Sequence, residues 1–174
     1  MAGHPSHTCD VFELARQGQV IEGTFPVRDL PRLAASVAQP SGALGYRIVG
    51  RFDEQGRPGA LLRLTGDLAL TCQRCGAPLA FRLEREAAFR FVASEEELNA
   101  LPLDDDDDAE AIVGGHSTDL AAWIEDEAIL SLPLVPRHDD CQPIATGGRE
   151  EAAEAVRPNP FAALAQLKGR RTSH

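Results

Sequence analysis

Between Tyr46 and Phe91 the chain alternates apolar and polar residues with a period of two, and this stretch restricts the fold more than any other. A two-residue period sends successive side chains to opposite faces of a strand, so each strand has a dry face and a wet one. Tyr46, Ile48, Gly50 and Phe52 share one face of a first strand, with Arg47 and Arg51 opposite. "DEQGRPG" supplies turn residues, after which Leu62, Leu64, Gly66, Leu68, Leu70 and Cys72 carry the alternation onward. A third strand sets Leu79, Phe81, Leu83, Ala87, Phe89 and Phe91 against Arg82, Glu84, Glu86 and Arg90. Arg85 interrupts that apolar row, and a bend is expected there. Short connections between half-buried strands predict an antiparallel meander.

Helical signals flank the meander. Asp10 is placed to cap a short helix running to Gln17, with Gly18 as its stop. "QVIEGTFPV" reads as a strand, and Leu30 to about Ala38 as a helix capped by Asp29, with Pro31 in its first turn. Downstream, Thr118 is expected to cap a helix with Asp119 near its positive end and Leu120, Trp123 and Ile124 as its apolar stripe. The lone Trp123 reads as a core residue. Pro133 and Pro136 end this helix, and the row Ile129, Leu130, Leu132, Leu134 and Val135 is expected to pack on the sheet. The expected fold is α+β: an antiparallel β-meander, an open sheet or partial barrel, packed by short helices and followed by a flexible C-terminal extension.

The expected organisation is a core domain over 1–141, with an acidic loop at about 94–110, then a flexible linker over 142–158. A short helix and basic tail occupy 159–174. The run "DDDDDAE" reads as a solvated, self-repelling loop that also suits a basic partner. It lacks the glycine turn and distal glutamate of a calcium loop. Asn159 is placed to cap the terminal helix and Pro160 fits its first turn. Phe161, Leu164 and Leu167 fall on one side, with Lys168 following. Isolated helices shorter than about 12–15 residues are marginal in water, so this one must dock, on its own core or on another molecule.

Charge and cysteine usage narrow the function. A net charge of −10 opposes direct grip on phosphates, which is usually gained by Lys and Arg displacing counterions. No apolar run approaches the ~20 residues of a membrane span, and the N-terminus lacks the pattern of a secretory signal, so a cytoplasmic location is expected. Four cysteines in such a chain favour reduced thiols or metal ligands over a disulfide framework.

Two of them, Cys72 and Cys75, form half of a tetrahedral site, and His138 with Cys141 supplies a second pair at the same spacing. Together they read C-x2-C…H-x2-C, a Cys3His set suited to one structural Zn2+. The long insertion between the halves leaves two other readings open. One is a set of unmetallated thiols at the sheet edge. The other is a redox dithiol, which lacks the βαβ setting and helix N-terminus that lower a thiol pKa. Asp139 and Asp140 suit outer-shell acceptors or plain solvation, Cys9 stands apart, and His116 sits in a loop with no evident acid partner. No phosphate loop, nucleophile elbow or H-E-x-x-H motif occurs, so no enzyme is expected.

"CQRCGAPL", "DLAAWIEDEAILSLPLVPRHDDC" and "NPFAALAQLK" occur in that order, preceded by "EGTFPV". Together they resemble the bacterial large ribosomal RNA subunit accumulation protein family, known as YceD, over nearly the whole chain. The resemblance implies a role in the synthesis, processing or stability of large-subunit ribosomal RNA, and it brings no catalytic residues. Some family members look richer in cysteine after the proline-terminated helix. This chain keeps Cys141 there, with His138 as a substitute. With the acidic charge, the resemblance implies a non-enzymatic accessory factor that meets a basic ribosomal protein or an rRNA-processing factor. The segment Asn159, Pro160, Phe161, Leu164, Leu167 and Lys168 would then be a docking element. The rival reading is an RNA-processing nuclease, which needs carboxylates fixed around a metal.

Overall fold

The computed structural model of the chain describes residues 8–102 and 109–144. The aspartate run, nearly all of the linker and the whole terminal helix lie outside the described residues, as do the docking residues expected from Asn159 to Lys168.

A five-stranded open sheet in the order β2-β3-β4-β5-β6 forms the frame. Its strands are β2 (Val20–Pro26), β3 (Ala43–Phe52), β4 (Pro58–Thr71), β5 (Pro78–Val92) and β6 (Glu110–Val113). The first four pair antiparallel in sequence order, so the expected meander is present and the sheet stays open. β6 joins β5 in parallel, which no periodicity announced. A second, two-stranded sheet pairs β1 (Thr8–Cys9) with β7 (Thr118–Asp119).

The alternation fixes which face is covered. Ile48 stands opposite Leu62, and Leu62 opposite Ala87, so one row of apolar side chains crosses three strands. Leu44, Ile48, Leu62, Leu64 and Leu83 are fully buried, each stabilising by about 1.5–3 kcal/mol relative to exposure. The β4–β5 ladder passes Arg85 in unbroken register with Leu64, and Arg85 is accommodated by an ion pair, its Nε 2.7 Å from Oε1 of Glu127. On the open face Glu22, Arg47, Arg63 and Glu86 form one register row, with an ion pair at each end.

Helices α1 (Val11–Gln17), α2 (Pro31–Ser36) and α4 (Leu120–Leu130) bring their apolar residues into the same core. α1 sits so close to β3 that a Cβ on Gly50 would lie 2.0 Å from the carbonyl oxygen of Leu14. Asp10 caps α1 as its sequence suggests, accepting hydrogen bonds from the N–H groups of Phe12 and Glu13, and Gly18 closes it with φ 59°. Trp123 of α4 is a core residue, with the rings of Phe89 and Phe91 meeting it edge-on at 5.0 and 5.9 Å. Asp119, rather than Thr118, caps α4 through the N–H groups of Ala121 and Ala122.

α2 differs from its sequence reading. It starts at Pro31, ends at Ser36, and Asp29 gives it no cap. Buried Glu125 of α4 accepts hydrogen bonds from the N–H groups of Arg32 at 2.6 Å and Leu33 at 3.0 Å, capping α2 from another element. The acidic stretch also holds regular structure, a short helix α3 (Glu95–Asn99) capped by Ser94. The apolar row after α4 departs furthest. Ile129 and Leu132 pack against the core, but Leu130, Leu134 and Val135 are exposed. The packed run ends at Leu132, directly before Pro133, and Leu134 and Val135 beyond it face solvent.

Candidate metal centre

β4 and β5 are much the longest strands, and the six residues joining them are Cys72–Ala77. The register carries pairing out to Thr71 opposite Pro78, so the Cys-x-x-Cys pair is the tip of a long hairpin. The tip is a tight knuckle. Cys72 donates its N–H to the carbonyl of Ala77 at 2.9 Å, and Gly76 donates to the carbonyl of Cys72 at 2.8 Å. Gly76 has φ 73°, a left-handed conformation that glycine adopts without steric penalty.

The second pair arrives from α4. After Pro133 the chain passes along the knuckle, where Gln73 holds it twice. Its backbone N–H donates to the Pro136 carbonyl at 2.9 Å, and its side-chain amide to the Leu134 carbonyl at 3.1 Å. This path delivers His138 and Cys141 to Cys72 and Cys75, and the four ligand atoms all lie within 4.8 Å of one another.

Metal–sulfur bonds of about 2.3 Å and metal–nitrogen bonds of about 2.0 Å at tetrahedral angles imply sulfur–sulfur edges of about 3.8 Å and sulfur–nitrogen edges of about 3.5 Å. Sγ of Cys72 and Cys141 stand 3.7 Å apart, and Cys75 Sγ stands 3.4 Å from His138 Nδ1. Two of the six edges thus match a tetrahedral zinc site, and all six lie within 4.8 Å. His138 is also fixed in the tautomer that ligation requires. Its Nε2 lies 3.1 Å from the Pro78 carbonyl, which can only accept, so Nε2 carries the proton and Nδ1 turns its lone pair to the sulfurs.

Cys72 is buried and the other three ligands are half-buried. Burial opposes a charge on Cys72, but hydrogen bonds from the backbone of Cys75, His138 and Arg74, and from the Cys75 thiol, outweigh it and pull the pKa down to about 5. Cys141 is pushed up to about 11 by burial and by the neighbouring Cys72 and Cys75. The surroundings that favour a thiolate at Cys72 oppose a second one beside it at Cys141. The lowered Cys72 thiol needs no helix N-terminus, because the knuckle's own N–H groups supply the positive end.

Cys9 lies elsewhere, opposite Thr118 in the small sheet. Asp139 and Asp140 are exposed and make no hydrogen bond among the described residues, and the outer-shell acceptor is the Pro78 carbonyl instead. No sequence pattern marks a backbone acceptor of that kind, nor the clamp made by Gln73. Gly76, directly after the second cysteine, is the one visible sign of the knuckle. His116 does have an acid partner, since its Nδ1 lies 2.5 Å from Oδ2 of Asp10. Among the described residues no helix is long and apolar enough to cross a membrane.

A family model described as large ribosomal RNA subunit accumulation protein YceD matches residues 61–168, which include all four ligands. A Haemophilus influenzae protein described in the same words is 32% identical over 168 residues, covering 92% of this chain and 94% of the relative. No solved structure matches the chain.

Proposed function

This chain belongs to the YceD family of large ribosomal RNA subunit accumulation proteins, and from that premise we propose that it is a non-enzymatic, cytoplasmic accessory factor stabilised by one structural Zn2+. Cys72, Cys75, His138 and Cys141 hold the ion, and the observation that carries this is the convergence of four soft or borderline donors within 4.8 Å, two of their separations matching tetrahedral edges. A catalytic zinc keeps a coordination position open for water or substrate, whereas four protein ligands fill the shell. A dithiol redox couple would use two of these groups and leave the third sulfur and the oriented histidine without a role. The ion's work is structural: it joins the hairpin tip to the chain leaving α4.

The functional contact is with a basic protein, either a ribosomal protein or an rRNA-processing factor. An acidic chain gains complementarity and association rate from such a partner, and loses both against bare RNA. Two measurements test the proposal. Protein purified without added metal should contain about one equivalent of zinc. Its absence, with no change on chelation, removes the metal. Affinity purification from growing cells should recover ribosomal proteins even after RNase treatment. Tight binding of the purified protein to rRNA at moderate salt would overturn the protein-contact reading.

A further inference from the structure

Cys72 and Cys141 reach the cluster from opposite sides, 69 positions apart in sequence, and their sulfurs stand 3.7 Å from each other. A disulfide bond is about 2.0 Å long, so the two must close by about 1.7 Å. The rest of the cluster decides which sulfurs meet. Cys75 Sγ faces His138, 3.4 Å from its Nδ1. Cys72 is fixed in the knuckle, its N–H bonded to the Ala77 carbonyl and its own carbonyl to the Gly76 N–H. Cys141 is the movable member. Among the described residues, 139–142 make no backbone–backbone hydrogen bond, and the Cys141 thiol reaches back to the His138 carbonyl at 3.8 Å.

Access divides the same pair. Cys141 is half-buried, whereas Cys72 is 1% exposed. A small oxidant can reach the first, and the second stands behind it. An accessible cysteine beside a sheltered one is the arrangement that keeps thiol oxidation reversible. The sulfenic acid is consumed as a disulfide before a second oxidant carries it further.

We propose that Cys72 and Cys141 are an oxidation site for hydroperoxides, which join them in a reversible disulfide between the hairpin tip and the α4 exit. With hydrogen peroxide, the Cys141 sulfur attacks one peroxide oxygen. An S–O bond forms, the O–O bond breaks, and the departing hydroxide takes the thiol proton and leaves as water. Cys72 then attacks the sulfenic sulfur. The S–S bond forms, the S–O bond breaks, and the second hydroxide leaves as water with the Cys72 proton. Two electrons pass from the sulfurs to the peroxide. Cys75 stays a thiol beside His138. The proposal uses residues of the zinc reading without resting on it, since the same thiols meet with or without an ion. Metal and disulfide exclude each other, because a tetrahedral ion needs both sulfurs as ligands.

The test maps the cysteines of the full chain after hydrogen peroxide, with and without prior chelation. Trypsin cuts after Arg16, Arg63, Arg74, Arg82 and Arg137, which puts each cysteine on its own peptide. Once free thiols are blocked with iodoacetamide, mass spectrometry should find peptide 64–74 joined to peptide 138–149, lighter than their sum by two hydrogens. Cys9 and Cys75 should be alkylated, and a dithiol reductant should separate the joined pair. Cys75→Ser should keep the link and Cys141→Ser should remove it. The oxidised chain should melt above the chelated, reduced one, because the link closes a loop of 69 residues in the unfolded state. From zinc-loaded chain, about one equivalent of zinc should leave per link formed, read with a metal-sensitive dye. A link between 64–74 and 75–82 overturns the proposal, as do sulfinic acids on separate cysteines or thiols unchanged under excess peroxide. A chain that carries no zinc but forms the link removes the metal reading alone. A chain that binds zinc but never forms the link, chelated or not, removes this proposal alone.

Discussion

Asp10 does two jobs with one carboxylate. Oδ1 caps α1, while Oδ2 holds His116 of the loop that leads to β7, so the N-terminus of a helix and a distant loop share one anion. The hydrogen bond from His116, then the backbone N–H of Glu13, keep the Asp10 carboxyl below its ordinary 3.8. A carboxyl whose pKa falls on folding stabilises the fold above its unfolded pKa, and that contribution is lost as pH falls through the folded value. Asp10→Asn keeps a good cap and removes the charge. Wild type should therefore melt above the variant at about pH 5, and the gap should close as pH drops below the ordinary carboxylate value toward about pH 2. Melting curves collected across that range check it, and a gap that stays constant would mean the charge contributes nothing. The cap itself was legible in the sequence, because an N-cap acts on residues two and three positions ahead. The His116 contact was not, because it spans 106 positions. Glu125 makes the same point for α2: its carboxylate caps a helix that begins 94 positions earlier, at Pro31, and only packing of α4 on α2 brings them together.

At the scale of elements, the long strands were legible and the short ones were not. β4 and β5 carry the two-residue alternation over 14 and 15 residues, which is long enough to fix both the faces and the register. β6 has four residues and β1 and β7 two each, so no period can be read from them. The exit from α4 misled for a different reason. Apolarity alone promised burial for Leu134 and Val135, but the chain beyond Pro133 is held by Gln73 and leads to the Cys72, Cys75, His138 and Cys141 cluster rather than into the core. The covered face depends on close approach as well as on apolarity, and Gly50 is where this is sharpest. Its neighbour is the Leu14 carbonyl, which is backbone and cannot move aside as a flexible side chain would. Gly50→Ala must shift α1 off β3, and the expected loss is about 3 kcal/mol, the upper end for overpacking. Urea unfolding of the variant gives the value. A loss below about 0.5 kcal/mol would mean that α1 adjusts freely.

For the whole molecule, the arrangement separates two sources of order. The core buries Leu44, Ile48, Leu62, Leu64, Leu83 and Ile124 between sheet and helices, and none of these residues is among the four candidate ligands. The hairpin tip and the α4 exit have no such core: Leu134 and Val135 face solvent, and the two segments meet through the Gln73 hydrogen bonds, the Pro78 acceptor and the ligand cluster. The ligand halves were visible in the sequence as two equal spacings, but their meeting required the hairpin and helix to end at the same place. If zinc holds that meeting point, its binding free energy is local folding free energy. Chelation should then lower the melting temperature and release backbone amides selectively. Amides of 72–77 and 134–141 should lose hydrogen-exchange protection first, while those of β3 and the middle of β4 keep theirs, because opening costs differ between regions according to their buried contacts. Hydrogen exchange read by mass spectrometry, with and without chelator, distinguishes the outcomes. Uniform loss across the sheet would make the metal a condition of the whole fold, contrary to a core that closes without it. No change at the tip would mean that the four side chains meet without holding an ion, and that backbone hydrogen bonds alone carry the join.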